Sequence, residues 1–386
     1  MIDHATFYAK CNLVDNPFRS NATFDDDPRL SIWAGYEKER GLLERFLARS
    51  RAEQVGNTNF LLLYGDFGTG KSHALLWAAH WLRNYSPDLK SAAYLIPTLK
   101  KDRGRLTFAG AFKDDLLAKT TLADDVIAYQ QFLMRCIIQY IHEHALGADA
   151  NNEEVIEKLL PSVELYNFAK KLYACKGKPE ILALLAPKDL SDYQAMTAFT
   201  RIVNLFVHEM RFKNETMRFR QSVHLLIDEV DVLRAAPSKE VLDVNDLLRH
   251  IYDGCPNCFG LVVAMSVVQE VVPMILTEYV LGRVNRQIEF AVLDKAAAAS
   301  FAIKIMDEWR VDATLEDQTG AFPFTPEAID GLVGQISFRT PRKVVNSMQQ
   351  AIEEARLVDL DPSVNPITIQ DLDDNGIVDS IFGDNR

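Results

Sequence analysis

The sequence has few cysteines and no long apolar run. Five cysteines are spread over 386 residues, an odd number that favours a reducing compartment over a disulfide framework. Cys255 and Cys258 have no second CxxC or CxxH partner at zinc-binding spacing, and His250 is the only nearby candidate ligand, so we expect a plain turn before a strand rather than a metal site. No apolar stretch approaches the roughly 18 residues that span a bilayer, and Asp3 stands where a signal peptide has basic residues. We therefore expect a cytoplasmic protein.

Positive charge is also scarce. The chain has 42 lysines and arginines against 54 acids, a formal net charge of −12. The overall field therefore does not attract nucleic acid, and a DNA contact needs a local basic patch or a ring of copies that concentrates one. The composition is otherwise that of an ordinary globular chain, with 48% hydrophobic and 25% charged residues, long enough for roughly two or three domains.

Four apolar runs predict the strands of a buried sheet. They cover residues 60–64, 92–96, 223–227 and 260–265. None of them alternates apolar with polar residues, which is typical of strands buried on both faces, so we expect a parallel sheet covered by helices. The stretch GDFGTGKS, residues 65–72, lies between the first run and a predicted helix.

This stretch has the form GxxxxGKS of a phosphate loop. Its glycines allow consecutive backbone N–H groups to turn inward around phosphates, Lys71 would bridge the β- and γ-phosphates, and Ser72 would ligate Mg²⁺. The alternative, a chance glycine turn, is disfavoured by the strand before it and the helix after it. The predicted nucleotide-binding residues are Gly65, Asp66, Phe67, Gly68, Thr69, Gly70, Lys71 and Ser72.

A second motif, VHLLIDEVD, ends the run at 223–227 with acids. A carboxylate at a strand tip can reach a metal bound by a neighbouring loop. Asp228 would hold Mg²⁺ through water, and Glu229 would orient and deprotonate the attacking water. The alternatives are that Asp228 only caps the following turn and that Asp231 is a solvated loop acid.

About a hundred residues are inserted between the two motifs, beyond the roughly 60 that two strand–helix–strand units need. Apolar residues recur there at spacings of three and four, which predicts helices. Later helices are predicted at 295–310, 326–336 and 341–356, the last two with threonine followed by proline at their start. The expected organisation is an arm without a core at 1–30, a nucleotide-binding domain at 31–294 with a helical insert at about 106–215, a helical lid at 295–356, and a loosely ordered acidic tail at 357–386.

Together these motifs resemble the AAA+ ATPases, in particular the initiator group of origin-recognition and cell-division-control ATPases and the related transposition-regulator and defence ATPases. Asn16 to Arg19 and Trp33 to Glu39 resemble segments that precede the phosphate loop in that group, although Tyr36 stands where the group usually has arginine. The resemblance covers residues 16–99 and 221–356. It implies an α/β P-loop NTPase with a parallel sheet core, a small all-α lid and ATP with Mg²⁺ as cofactors; it is the only reason to prefer ATP to GTP.

The resemblance also implies further catalytic residues. Ser266, at the end of the fourth run, looks like the polar first sensor, with a plain strand end as the alternative. Arg342 resembles the second sensor, with Arg339 and Lys343 as competitors. Arg283 and Arg286 match the place of an arginine finger that acts on the ATP of a neighbouring subunit, which implies a ring or filament; surface arginines are the alternative.

One basic segment is the best local candidate for direct DNA contact. Lys100, Lys101, Arg103 and Arg105 form a basic loop after the second strand, which a ring would repeat around a duplex backbone; a solvated surface loop is equally expected. A second basic run, from Arg211 to Arg220, has lower weight. About 30 residues follow the last lid helix, too few for the winged-helix domain of most initiators.

Two functions of different class follow. In the first, an ATPase assembles into a homo-oligomer, often on duplex DNA, and hydrolysis remodels or recruits a protein partner. In the second, a nucleotide-gated switch hydrolyses slowly or not at all and docks partners through its helical insert. A P-loop kinase or a RecA-type helicase is disfavoured because neither an acceptor-binding lid nor a continued sheet is visible in the sequence.

Overall fold

The computed structural model describes residues 3–18, 28–51, 59–84, 91–102, 104–147, 150–255 and 258–383. The chain divides into two compact units. Unit 1 comprises residues 1–41, 65–77 and 289–386, and unit 2 comprises residues 42–64 and 78–288. Unit 1 therefore contains the phosphate loop as well as the predicted lid, and the domain boundaries expected from the sequence stay predictions.

The strands of the described chain are short and mostly buried. They are β1 (Asn59–Gly65), β2 (Ala92–Ile96), β3 (Lys100–Asp102), β4 (Arg105–Thr107), β5 (Glu209–Arg211), β6 (Thr216–Arg218), β7 (Val223–Ile227), β8 (Phe259–Met265) and β9 (Arg286–Phe290). Five of them form one sheet in the order β2-β7-β8-β1-β9. Strands β2, β7, β8 and β1 are parallel, with Ile96 opposite Ile227, Ile227 opposite Val263, and Tyr64 opposite Met265.

The described chain contains helices in both units. They are α1 (His4–Lys10), α2 (Glu37–Arg51), α3 (Lys71–Asn84), α4 (Phe108–Ala111), α5 (Leu122–Glu143), α6 (Asn152–Leu159), α7 (Val163–Ala174), α8 (Lys178–Leu185), α9 (Asp192–Val207), α10 (Ser238–Gly254), α11 (Val272–Ile275), α12 (Glu278–Leu281), α13 (Lys295–Asp307), α14 (Pro326–Gln335), α15 (Pro341–Leu357), α16 (Ile369–Asp374) and α17 (Ile377–Phe382).

The α/β P-loop NTPase fold class is confirmed. Every residue of β1, β7 and β8 is buried, as their unalternated apolar sequences predict. The phosphate loop joins β1 to α3, and the predicted strands at 60–64, 92–96, 223–227 and 260–265 are all present. The fifth strand, β9, was not predicted, because only its alternate residues Ile288 and Phe290 are buried.

The insert is helical, as predicted, and belongs to unit 2. Helices α4 to α9 bury apolar residues against β2, β7 and β8 in one continuous core. A partly buried polar link lies in this core: the Tyr94 hydroxyl of β2 donates to Asp125 of α5 at 2.7 Å, and the Arg220 guanidinium pairs with the same carboxylate. A carboxylate that is largely withdrawn from water needs such partners, so the link fixes α5 relative to the sheet.

Unit 1 has its own core, built by α13, α14 and α15. The threonine and proline starts are confirmed as N-caps: the Thr325 hydroxyl accepts from the Ala328 N–H at 3.2 Å, and the Thr340 hydroxyl accepts from the Lys343 N–H at 3.4 Å. An N-cap oxygen satisfies an N–H that the helix leaves without a partner.

Two predictions about the chain ends are wrong. The segment at 1–30 was expected to have no core, but α1 and the residues after it bury Phe7, Tyr8 and Phe18 in the core of unit 1. The tail was expected to be loosely ordered, but α16 and α17 bury Leu372 and Ile377 in the same core. Both segments are short and polar, so their few apolar residues become informative only once their distant partners are known.

Candidate nucleotide-binding site

The phosphate loop adopts the conformation that its glycines permit. Gly65, Gly68 and Gly70 have φ of +144°, +81° and +99°, values that residues with a Cβ rarely adopt. A Cβ on Gly65 would lie 2.3 Å from the backbone oxygen of Phe290, whereas one on Gly70 would meet nothing within 4 Å. Gly65 is therefore required by close packing, and Gly70 by the turn of the backbone itself.

Lys71 lies inside the loop. Its Nζ donates to the backbone oxygens of Gly65 at 3.0 Å and Asp66 at 2.7 Å and to the Thr69 hydroxyl at 3.2 Å, and the residue is only 4% exposed. Ser72, the next residue, is exposed in the first turn of α3. All three acceptors are loop oxygens, which a bound phosphate would replace. Consecutive backbone N–H groups at a helix start and a lysine ammonium are the groups that bind phosphates, so the predicted residues fit a nucleoside triphosphate.

The N-terminal segment holds helix α3 in place. The His73 Nε2 lies 2.8 Å from the Ile32 backbone oxygen, and the Trp33 and Trp77 rings meet edge to face at 4.9 Å. Such aromatic pairs stabilise beyond their burial. The segment around Trp33, which the sequence singled out by resemblance, therefore supports the helix that follows the loop.

Tyr36, which departs from the family pattern, has a structural role here. Its hydroxyl donates to the Ala291 backbone oxygen at 2.5 Å, and its ring lies 5.2 Å from Phe290. Burial raises the pKa of Tyr36 above its ordinary value, so the phenol stays a neutral donor. Phe290 is the residue against which Gly65 packs, so this contact supports the start of the loop.

Arg342 lies directly on the phosphate loop. Its backbone N–H donates to the Gly68 oxygen at 3.1 Å, and its guanidinium lies 4.3 Å from the centre of the Phe67 ring. Phe67 is 69% exposed. In the part of the chain that the structure describes, no hydrogen bond of the guanidinium is found, so its N–H groups remain available to an anion.

The two competitors of Arg342 are engaged elsewhere. Arg339 donates from Nε to the Val333 backbone oxygen at 2.9 Å and so satisfies the end of α14. Lys343 lies 5.8 Å from the ring of Phe338. Among the three, only Arg342 contacts the loop in these ways.

The acidic motif lies at the carboxyl end of β7. Asp228, partly exposed, follows that strand, and its N–H donates to Ile96 at 2.9 Å. Glu229 is exposed with φ of +52°, an uncommon conformation for a residue with a side chain, and its N–H donates to the Asp228 carboxylate at 2.8 Å. Strain of this kind is found at functional sites more often than elsewhere.

Asp231 has a role that the sequence did not predict. Its carboxylate accepts the Ser266 N–H at 2.8 Å, so the turn after β7 is held to the candidate sensor after β8. The interpretation of Asp231 as a solvated loop acid is wrong. Its position in LIDEVD, three residues after Asp228, was the only signal available.

The two finger candidates differ in their partners. Arg283 donates two hydrogen bonds to the Asp253 carboxylate, at 2.8 and 2.7 Å, and this pairing is the main cause that lowers the pKa of Asp253. Arg286 begins β9, is exposed, and has no ion pair with any described residue. The bidentate pairing restrains Arg283, and Arg286 is the less restrained of the two.

The basic segment after β2 is an antiparallel hairpin, β3–β4, rather than a loop. Lys100 pairs with the buried Asp115 at 3.0 Å, but Lys119 shares the same carboxylate oxygen at 3.0 Å, so this one acid compensates only part of the two positive charges. Lys101 and Arg105 are exposed, and Arg103 lies outside the described residues. In the second basic run, Arg218 and Arg220 are likewise paired with acids.

Two further expectations concern metals and membranes. Among the described residues, no group of three or more His, Cys, Asp or Glu side chains could hold a metal ion, and Cys255 is buried while Cys258 lies 3.9 Å from an Arg218 nitrogen. Within the same residues, no helix combines the length and apolarity needed to cross a membrane.

No model of a known protein family matches the sequence, and no curated protein matches it. Similar solved structures include the Aeropyrum pernix ORC2 protein, with 12% identity over 94% of this chain and 73% of that chain and a TM-score of 0.46. A Walker-type ATPase of Pyrococcus abyssi has 16% identity over 85% of this chain and 69% of that chain, with a TM-score of 0.45. Domain III of the Thermotoga maritima replication initiation protein DnaA has 11% identity over 92% of this chain and 98% of that chain, with a TM-score of 0.42.

These structures are only distantly similar to the chain. Their TM-scores are below 0.5 and their identities are low, so their activities are not transferred to this chain. The fold assignment rests on the parallel sheet and on the place of the phosphate loop between β1 and α3.

Proposed function

We propose that the protein is a Mg²⁺-dependent ATPase of the AAA+ type. The observation that carries this proposal is the phosphate loop: Lys71 is buried among its backbone oxygens, and Arg342 lies on its outer face. Two cations at one glycine-rich phosphate loop favour a polyphosphate ligand over a ligand with a single carboxylate. ATP is preferred to GTP by resemblance alone.

Each predicted catalytic residue has a distinct role in this proposal. Lys71 binds the β- and γ-phosphates, and Ser72 and Asp228 supply the oxygen ligands that Mg²⁺ prefers. The metal, when bound, neutralises phosphate charge. Glu229 accepts a proton from the attacking water, for which its exposed carboxylate is suited.

Three further residues complete the proposed site. Ser266, held by Asp231 through its backbone, orients the attacking water or the γ-phosphate. Arg342 offers its guanidinium edge to phosphate oxygens. Arg283 or Arg286 acts on the nucleotide of a neighbouring copy, where a guanidinium stabilises charge that develops during phosphoryl transfer.

Hydrolysis in trans requires assembly, so we propose a cytoplasmic homo-oligomer that remodels or recruits a protein partner in a DNA transaction. The exposed Lys101 and Arg105 of the β3–β4 hairpin are the described residues through which DNA contact is proposed. The proposed functional domains are those of the sequence prediction, with the nucleotide-binding domain at 31–294 and the lid at 295–356.

A nucleotide-gated switch is the second candidate. It is favoured by an apolar pair on the insert helix α5, where Met134 is 46% and Ile138 is 67% exposed. They lie one turn apart on the same helical face. In this function, ATP binding changes the availability of the insert to a protein partner, and turnover is slow or absent.

ATP hydrolysis by the purified chain separates the two functions. The rate is measured over a range of protein concentrations, with and without duplex DNA, beside Glu229→Gln. An ATPase that acts across subunits shows a specific rate that rises with protein concentration and is lost in the variant. Binding of ATP with turnover at the level of the variant under every condition would refute hydrolysis and favour the switch.

A further inference from the structure

A second cationic feature lies within unit 2, at the amino end of strand β1. It is a cleft of about 110 Å³, several times the roughly 10–15 Å³ that one water molecule requires. We call it the arginine cleft. The residues that line it are Arg45, Phe46, Arg49, Asn59, Asn285 and Arg286.

Three elements bring these residues together. Arg45 and Arg49 lie one turn apart on α2, so both side chains share one helical face. Asn59 begins β1. Asn285, just before β9, is bound to Phe60 twice: its N–H donates to the Phe60 oxygen at 2.9 Å, and its Oδ1 accepts the Phe60 N–H at 2.7 Å. Arg286, the next residue, is thereby placed beside the amino end of β1.

Among the described residues, no acid compensates the charge of the arginine cleft. Its three arginines are exposed, none of them forms an ion pair with a described residue, and the lining residues include no acid. Other arginines of unit 2 are paired with carboxylates, among them Arg283 with Asp253 at 2.7 Å and Arg218 with Glu209 at 2.8 Å. Three like charges around one small cleft repel one another unless an anion lies between them.

Asn59 gives an independent indication. It is 1% exposed, and neither its side-chain nitrogen nor its side-chain oxygen has a hydrogen-bond partner. Buried amides almost always have partners, and an exception calls for an explanation such as a binding role. At the wall of a cleft lined by three arginines, a buried amide can donate to an anion that the guanidinium groups attract.

We propose that the arginine cleft is a second phosphate-binding site, distinct from the nucleotide loop. Guanidinium forks match the geometry of phosphate oxygens, and the cleft of about 110 Å³ has room for a phosphate group. The cleft lies at the amino end of strand β1. The shared chemistry is a phosphate group, either free or part of a DNA backbone.

The test uses the full chain with Lys71→Ala, which removes binding at the nucleotide loop. The melting temperature is measured in inorganic phosphate and in sodium chloride of equal ionic strength. Preferential binding to the folded chain should raise the melting temperature by about 2 °C or more in phosphate. Arg45→Gln/Arg49→Gln should lose this rise, as should Arg286→Gln. The control variant, Arg201→Gln/Arg211→Gln, removes the same charge outside the cleft and should keep it.

A phosphate-dependent rise that persists in both cleft variants, or no rise in the parent chain, would overturn the proposal. A second measurement identifies the source of the phosphate group: the dependence of duplex DNA affinity on salt concentration. A slope that falls by about 1 in Arg45→Gln/Arg49→Gln indicates a DNA backbone phosphate. An unchanged slope with a lost thermal rise indicates a free phosphate. These measurements on the Lys71→Ala chain do not require ATP hydrolysis. The arginine-cleft proposal, which goes beyond the ATPase proposal, can therefore fail while the ATPase proposal holds, and the reverse.

Discussion

Phe67 should order Arg342 for phosphate binding. The guanidinium lies over the Phe67 ring, 4.3 Å from its centre, in a cation–π contact. No hydrogen bond to a described residue occupies its N–H donors, so they are free for phosphate oxygens. Phe67→Ala should therefore weaken ATP binding, because Arg342 then loses its ordered position before the ligand arrives.

The magnitude follows from the exposure of the contact. Phe67 is 69% exposed, and an exposed cation–π contact contributes about 0.5–1 kcal/mol. If all of this acts through Arg342, the dissociation constant of ATP should rise about two- to fivefold. The assay is equilibrium titration with a fluorescent ATP analogue in a Glu229→Gln background, which prevents turnover during the measurement.

A double-mutant cycle decides whether the effect passes through Arg342. In an Arg342→Ala background, Phe67→Ala should change ATP affinity no further. Phe338→Ala, which removes the ring beside Lys343 on the same helix end, serves as the control and should leave affinity unchanged. An equal loss with and without Arg342, or tighter binding in Phe67→Ala, would show that the ring does not order the arginine.

Three further predictions concern stability. Gly65→Ala should lower the free energy of unfolding by at least about 2 kcal/mol, because Gly65 has φ of +144° and an added Cβ would lie 2.3 Å from a β9 carbonyl oxygen. The control Gly383→Ala, with open space around the added Cβ, should change the free energy of unfolding by no more than about 0.5 kcal/mol. Burial lowers the pKa of His208 below 6.5. As the pH drops below about 6.5, the unfolded chain therefore binds this proton before the folded chain does, and the free energy of unfolding falls. His208→Gln should reduce that fall, measured by urea titrations at pH 7 and 5. Arg310→Met should cost about 3–5 kcal/mol in urea unfolding, because the buried guanidinium donates to three backbone oxygens, while the exposed Arg211→Met should be nearly neutral.

The parts of the fold that could be predicted are those specified by neighbouring residues. The apolar run before GDFGTGKS specifies β1, and Thr340 followed by proline specifies the start of α15. In each case the physical cause, burial of a continuous strand or satisfaction of a helix N–H, acts within a few residues. The same locality explains why the stretch GDFGTGKS could be placed between a strand and a helix.

The parts that could not be predicted depend on distant partners. Helix α1 is stable because Phe7 and Tyr8 are buried in a core formed with helices about 300 residues later in the chain. The sequence around Asp231 does not distinguish it from a solvated acid. Its carboxylate accepts a hydrogen bond from the Ser266 N–H because β7 and β8 are adjacent in the sheet. In the sequence, Asn59 is a single polar residue beside an apolar run. The structure alone shows that its side chain is buried and has no hydrogen-bond partner among the described residues.

The distribution of positive charge connects these sites. The chain has a net charge of −12, and several of its cations are paired with acids, as Lys100 is with Asp115. Lys71 is instead surrounded by neutral backbone and hydroxyl oxygens, Arg342 is stacked on an aromatic ring, and the arginine cleft has no lining acid. An acidic protein can bind a phosphate group only where local cations outweigh the overall field. The phosphate loop and the arginine cleft both meet this condition, whereas Lys100 is held on the carboxylate of the buried Asp115 and is less available for a DNA contact.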